Sequence, residues 1–120
     1  MYKMAKPASS QRSASVHRLA VAEDRAAELA DLFRLLGDAT RLRIVIACLD
    51  APISVGDIAA QLGLSGSLVS HHLRLLRAAA IVRADRHGKQ VFYAAADDHV
   101  RRIVADMIEH AAEPRTEEDA

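Results

Sequence analysis

The stretch from residue 54 to residue 80 constrains the fold most strongly, because it contains two helices separated by a sharp turn. Ser54 is a good N-cap for the segment "VGDIAAQLG", and Gly63 ends this segment with the residue that most easily adopts a left-handed backbone. Ser65 can then cap a second helix, "GSLVSHHLRLLRA". Two such helices joined by a glycine-containing turn have the proportions of a helix-turn-helix. The side of the second helix that we expect to be buried is marked by Leu68, Val69, Leu73, Leu76 and Ala80.

The segment that follows, "IVRADRHGKQVFYAA", predicts a β-hairpin. Two short strands lie on either side of His87-Gly88-Lys89, and Gly88 supplies the positive φ that such a turn requires. A helix-turn-helix followed by a β-hairpin is a winged helix. We therefore predict a mainly α (α+β) fold, a winged helix-turn-helix with about five helices plus a β-hairpin wing.

Two helices are predicted before this region. Apolar residues at i, i+3, i+4 and i+7 form one stripe that ends at Gly37, and Asp38 can cap the next helix, "ATRLRIVIACLD". Pro52 breaks the chain after that helix. The first stripe consists of Leu29, Leu32, Phe33 and Leu36, and the second helix should be largely buried through Leu42, Ile44, Val45, Ile46 and Leu49.

A last amphipathic helix, "DDHVRRIVADMIEHAAE", begins near Asp97 or Asp98. Its apolar stripe consists of Val100, Ile103, Val104, Met107, Ile108 and Ala111.

Composition places these elements in one small domain. Of the 120 residues 51% are hydrophobic but only 3% are aromatic, so alanine, leucine, valine and isoleucine must fill the core, which favours helices. We predict a flexible, serine-rich arm over residues 1–17, a winged-helix domain over 18–113, and an acidic tail over 114–120. No secretory signal or membrane-length apolar run is present, so a cytoplasmic location is expected. The lone Cys48 excludes an intramolecular disulfide and is expected to be a buried apolar residue.

Positive charge is concentrated on the second helix of the helix-turn-helix and on the wing. The chain has no formal net charge, yet residues 67–90 carry five basic side chains against Asp85 alone. Hydroxyl and imidazole groups near the start of that helix could reach base edges and phosphates of double-stranded DNA. The alternative is an ordinary solvated face. The candidate DNA-binding residues are Ser65, Ser67, Ser70, His71, His72, Arg74, Arg77, Arg86 and Lys89.

The last helix carries candidate metal ligands on one flank beside its apolar stripe. His99 and His110 are eleven residues apart, which is about 16 Å along a helix, so one chain cannot place both on one ion. Two copies packed antiparallel in a homodimer could pair Asp97 and His99 of one chain with His110 and Glu113 of the other. Such nitrogen and oxygen donors suit Zn²⁺ or Co²⁺. The competing interpretation is a polar surface flank whose carboxylates stabilise the helix dipole.

The segments "LFRLLGDATRLRIVIACL", "ISVGDIAAQLGLSGSLVSHHLRLLRAAAIVRADRHGKQVFYAA" and "DDHV…EH" resemble the ArsR/SmtB family of bacterial metal-sensing repressors, over about residues 29–113. The resemblance implies a winged-helix homodimer that binds a palindromic operator and releases it when an inducer binds. It places DNA-reading residues at Ser67, Ser70 and His71.

The resemblance also bears on the metal. Zinc-type sensors of the family carry Asp-x-His at the start of the last helix and His-x-x-His or His-x-x-Glu later, which Asp97-x-His99 and His110-x-x-Glu113 match. Thiolate-type members have a cysteine where this chain has Ser54, and two more near the start of the second helix; these are absent here. The resemblance therefore implies Zn²⁺ as inducer, with Co²⁺ as an alternative.

Two other interpretations of the site stay open, and a third, an enzyme, is disfavoured. A Ni²⁺ or Co²⁺ sensor could use His17 of the arm as an extra ligand, and Asp98 or Asp106 could join the coordination shell. A winged-helix regulator could respond to a signal other than a metal. An enzyme is not expected, because four protein ligands leave no open position for a catalytic water.

Overall fold

The computed structural model describes residues 8–115, with side chains from residue 22 onward. The chain divides into two compact units with the boundary between Leu35 and Leu36. The elements are α1 (Ala8–Leu36), α2 (Ala39–Ala47), β1 (Ile53–Ser54), α3 (Val55–Leu62), α4 (Gly66–Ala78), β2 (Val82–His87), β3 (Gln90–Ala95) and α5 (Asp98–Ala112).

The first unit is built on α1, which is longer than the sequence predicts. The helix begins at Ala8, so residues 8–17 of the predicted flexible arm are helical. No proline or glycine follows Pro7 before Gly37, so nothing in the sequence interrupts the helix. Residues 1–7 and the tail from residue 116 lie outside the described part of the chain.

Each predicted helix cap in the second unit is confirmed. The Asp38 carboxylate accepts a hydrogen bond from the Arg41 N–H at 3.0 Å, and this bond lowers the pKa of Asp38 from its ordinary value. Ser54 Oγ accepts from the Asp57 N–H at 3.2 Å at the start of α3. Gly63 ends α3 with a φ of 69°. These local bonds fix where α2 and α3 begin and where the turn of the helix-turn-helix lies.

The wing hairpin, formed by β2 and β3, belongs to a three-stranded antiparallel sheet in the order β1-β3-β2. The predicted hairpin pairs Val82 with Ala95 and His87 with Gln90, and Gly88 has a φ of 65° in the turn. The sequence pattern did not predict β1, whose two residues are too few to show alternation. Ile53 pairs with Tyr93, so β1 joins the region before α3 to the wing.

The core of the second unit lies where α2, α3 and α4 meet the sheet. The largest fully buried side chains are Ile44, Val45, Cys48, Ile58, Val69, Leu73, Leu76 and Val82. The predictions for Ile46 and Leu68 were wrong, since each is 40% exposed on the outer edge of its helix.

Ala80, also predicted to be buried, is exposed for a backbone reason. It has a φ of 59° immediately after α4. The Ala80 N–H donates to the Arg77 carbonyl at 2.9 Å, and the Ile81 N–H donates to the Leu76 carbonyl at 2.9 Å. This pair of bonds is a Schellman motif, which turns the chain out of α4 at a left-handed residue and returns Ile81 to the core.

Candidate DNA-binding and metal-binding sites

The outer face of α4 carries the side chains predicted to read DNA. Val69, Leu73 and Leu76 are buried and define the inner face of the helix. At 100° per residue, Ser67, His71 and Arg74 point away from that face. All three are exposed. The helix therefore presents a hydroxyl, an imidazole and a guanidinium on one outward surface.

The two remaining serines of the candidate set differ from Ser67 in their surroundings. Ser65 caps α4, because its Oγ accepts a hydrogen bond from the Leu68 N–H at 3.1 Å. The same oxygen lies 3.4 Å from Ser67 Oγ. Ser70 is half-buried. Ser65 thus fixes the start of the helix that carries Ser67 and His71.

His72 lies on the side of α4 that faces α2. Its ring is half-buried, and Nδ1 accepts a hydrogen bond from Arg41 Nε at 3.2 Å. One ring nitrogen of His72 is therefore used in a hydrogen bond inside the fold, and Nε2 takes no part in that bond. Sequence reasoning missed Arg41, because the two residues are 31 positions apart and no periodic pattern connects them.

The wing places its basic side chains in two settings. Arg86 and Lys89 are exposed near the Gly88 turn. Arg83 is instead held against the hairpin: its guanidinium donates to the Ala95 carbonyl at 3.0 Å and pairs with Asp85 at 3.3 Å. Arg77, at the last turn of α4, is exposed. The phosphate-contact candidates at the wing are therefore Arg86 and Lys89, while Arg83 stabilises its base.

At the start of α5, two of the candidate metal ligands lie side by side. Asp97 is the N-cap, and its Oδ1 accepts from the Val100 N–H at 2.9 Å. His99 Nδ1 is 3.8 Å from the same oxygen, and the His99 side chain is 84% exposed. Asp97 therefore caps the helix with Oδ1, and its second carboxylate oxygen is the candidate metal ligand.

The other two candidate ligands lie at the far end of α5. His110 is in the last turn, and Glu113 is the C-cap, whose N–H donates to the His110 carbonyl at 3.2 Å. Both side chains are exposed. In the described part of one chain no three metal-ligating side chains come together. The two pairs are thus separate within a chain, and a four-ligand set would need a second copy.

The apolar stripe of α5 is largely uncovered in the single chain. Val104 is buried at 5% exposure, whereas Ile103, Met107 and Ile108 expose 52%, 58% and 44%. These are large apolar side chains on consecutive turns, next to the flank that carries His99 and His110. A continuous exposed apolar face of this kind is typical of an interface.

Cys48 is confirmed as a buried apolar residue. It has no exposed surface, and burial raises the pKa of its thiol to about 12. Because metals bind the thiolate rather than the thiol, this side chain is unsuited to ligation in the folded protein.

The fold and the outward face of α4 define a winged helix-turn-helix transcriptional regulator. The family model described as "Bacterial regulatory protein, arsR family" matches residues 38–84. The regulator CmtR of Mycobacterium tuberculosis is 45% identical over 87 residues, covering 72% of this chain and 74% of that relative. A transcriptional repressor SmtB homolog from Synechocystis is 38% identical over 90 residues, covering 75% and 68%. The chain belongs to the ArsR family of bacterial regulatory proteins.

Solved structures agree with this fold. The NMR structure of the cadmium metal-sensor CmtR from M. tuberculosis superposes with a TM-score of 0.60 at 42% identity, covering 73% of this chain and 92% of that chain. A homodimeric winged helix-turn-helix DNA-binding domain from Mycobacterium bovis gives a TM-score of 0.71 at 24% identity, covering 78% and 87%.

Membership of this family also settles the broad class of activity. Regulators of this family bind DNA and are not enzymes, as predicted. Over the described residues, no helix combines the length and hydropathy that a membrane span requires.

Proposed function

We propose that this protein is a metal-responsive transcriptional repressor. Its metal-free homodimer binds a palindromic operator, and the dimer leaves the operator when Zn²⁺ occupies two sites shared between the α5 helices. One observation carries the proposal: α5 exposes an apolar stripe directly beside a flank with a carboxylate–imidazole pair at each end.

The separation of the two pairs favours sites between subunits. The two histidines are about 16 Å apart along the helix axis, while a Zn–N bond is about 2.0–2.1 Å. Antiparallel packing of two α5 stripes brings the start of one helix to the end of its mate. Asp97 and His99 of one protomer then join His110 and Glu113 of the other, and the two-fold axis generates a second identical set.

The donor set favours a borderline metal ion. Two imidazole nitrogens and two carboxylate oxygens make four ligands, which suits tetrahedral Zn²⁺, with Co²⁺ as its closest substitute. CmtR of M. tuberculosis, to which the chain is similar, is a cadmium metal-sensor. The lone cysteine of this chain is fully buried with its thiol pKa raised to about 12, so a soft, thiolate-binding ion is disfavoured.

DNA reading is assigned to α4 and the wing. Ser67, Ser70 and His71 would contact base edges in the major groove, while Arg74 and Arg77 would contact phosphates. Arg86 and Lys89 at the wing tip would contact the backbone beside the groove. His72 would contribute through Nε2.

Release requires that the metal favour a conformation of low DNA affinity. Metal that bound both conformations equally would shift nothing. A link between the two α5 helices fixes the angle between subunits. Operator half-sites lie about 34–36 Å apart, so a changed angle misaligns the two α4 helices with successive major grooves.

Fluorescence anisotropy of a labelled operator fragment tests the proposal. We expect Zn²⁺ to weaken operator binding of the wild type by roughly 5- to 150-fold, the usual range of allosteric coupling. His99→Ala and His110→Ala should retain operator binding and lose the response. Glu109→Ala, next to His110 on the same helix, is the matched control and should respond normally. A wild type that is indifferent to Zn²⁺ contradicts the proposal.

Metal content and spectroscopy separate the alternatives. Elemental analysis of the purified dimer should give one Zn²⁺ per protomer. The Co²⁺ form should absorb as a four-coordinate complex. A six-coordinate spectrum that changes in His17→Ala would instead identify a Ni²⁺ or Co²⁺ sensor with an arm ligand. No metal binding at all would indicate a regulator that responds to another signal.

A further inference from the structure

Arg101 joins α5 to the end of α2. It lies in the first turns of α5, two residues after His99, and its Nε donates a hydrogen bond to the Leu49 carbonyl at 3.0 Å. Its guanidinium also pairs with Asp98. The Arg101 side chain is 41% exposed, and the bond to Leu49 is partly buried. The start of α5 is therefore hydrogen-bonded to a residue 52 positions earlier in the chain.

The acceptor carbonyl of Leu49 lies where the end of α2 meets β3 and α5. Leu49 and Cys48 directly follow α2, and both are buried. The Cys48 carbonyl accepts from the Ala95 N–H of β3 at 3.2 Å, and the Leu49 carbonyl accepts from Arg101 of α5. These carbonyls close the C-terminal end of α2, where no intrahelical donor remains for them. A displacement of the start of α5 would therefore displace the C-terminal end of α2.

The other end of α2 is bonded to the DNA-reading helix. Arg41, in the first turn of α2, donates to His72 of α4 at 3.2 Å. Ile44 and Val45 between these ends are fully buried. Because α2 is a short, tightly packed helix with only nine residues, it would transmit displacement rather than absorb it. A contiguous set of bonds therefore runs from Arg101 through α2 to His72.

We propose that Arg101 is a positioning residue through which metal binding on α5 changes the placement of α4. This inference rests on the proposed function, since it names how the metal site and the DNA-reading helix are coupled. The hydrogen bond from Nε to the Leu49 carbonyl is the transmitting contact. Val104 is the one buried residue among the described residues of α5, and apolar packing fixes position less strictly than a directed bond.

Two substitutions isolate that bond. Glutamine places its amide nitrogen where arginine has Nε, so Arg101→Gln keeps a donor for the Leu49 carbonyl and removes the pairing with Asp98. Arg101→Met has similar length and no donor. Arg102→Met is the matched control, because Arg102 is the adjacent, exposed arginine on the same helix.

The decisive measurement is the ratio of operator affinities without and with Zn²⁺. In Arg101→Met this ratio should fall roughly five- to tenfold relative to wild type, while metal stoichiometry and metal-free operator affinity stay within about twofold. Arg101→Gln and Arg102→Met should retain the wild-type ratio. An unchanged ratio in Arg101→Met overturns the inference, and so does a loss of coupling in Arg101→Gln, which remains informative even if the methionine variant does not fold. A wild type that never responds to Zn²⁺ overturns the proposed function instead.

A measurement without metal tests the contact between Arg101 and the end of α2. Cys48 lies next to Leu49 and is fully buried, so its rate of modification by a thiol reagent reports local opening there. Arg101→Met should be modified at least about threefold faster than wild type, with Arg101→Gln and Arg102→Met unchanged. Equal rates in all four proteins would contradict the role assigned to the bond.

Discussion

At the scale of single residues, burial decides the chemistry of Cys48. Its pKa rises from 9.0 to about 12, so the folded state keeps the proton where the unfolded state loses it. The free energy of unfolding is therefore unaffected by this thiol well below pH 9. It falls as pH rises from about 9 toward 12, by at most about 1.4 kcal/mol per pH unit. We expect the stability advantage of wild type over Cys48→Ala to shrink between pH 8 and pH 10. Urea denaturation at fixed protein concentration, under reducing conditions, measures it; a constant difference would contradict the burial effect.

His71 and Lys89 should affect DNA binding in different ways. His71→Ala removes a side chain on the outward face of α4 and should weaken operator binding by about 1–2 kcal/mol, with less effect on unrelated DNA. Lys89→Ala should weaken binding to all sequences and reduce the salt slope by about one. Anisotropy titrations at several salt concentrations distinguish them. A His71→Ala variant that loses affinity equally for every sequence would show that His71 contacts only the backbone.

At the scale of elements, the end of α4 is set by a left-handed alanine. Ala80 has a φ of 59°, which glycine adopts without the steric cost that Cβ imposes. Ala80→Gly should therefore raise the free energy of unfolding by about 0.5–1 kcal/mol, whereas Ala78→Gly, at the last residue of α4, should lower it by up to a similar amount. Chemical denaturation gives both values. The same sign for both substitutions would contradict the Schellman geometry.

At the scale of the whole molecule, the uncovered face of α5 predicts the assembly. Met107→Asp would place an unpaired carboxylate in the proposed apolar interface, and we expect a monomer that binds neither operator nor Zn²⁺ tightly. Ala105→Asp, on the polar side of the same helix, should remain a dimer. Sedimentation equilibrium distinguishes them, and a dimeric Met107→Asp would exclude an interface built on α5.

Several features of the fold follow from local sequence. Asp38, Ser54 and Ser65 cap their helices because a short polar side chain can bond a backbone N–H three residues ahead. Gly63 and Gly88 occupy left-handed positions where turns require them. These rules act within a few residues, so the sequence alone determined the order of the helices and the placement of the β2–β3 hairpin, but not the two-residue strand β1.

Packing between elements decided side-chain exposures and long-range hydrogen bonds, which rules acting within a few residues do not predict. The sequence marks the stripes of α2 and α4, but only the neighbouring elements leave Ile46 and Leu68 exposed. Long-range bonds join Arg41 to His72 and Arg101 to Leu49 across 31 and 52 positions. Periodicity describes one element at a time, whereas these contacts depend on how separate elements pack. The sequence therefore determined the class of the fold and the candidate ligands, and the tertiary structure decided which residues of α5 and α4 bond to α2.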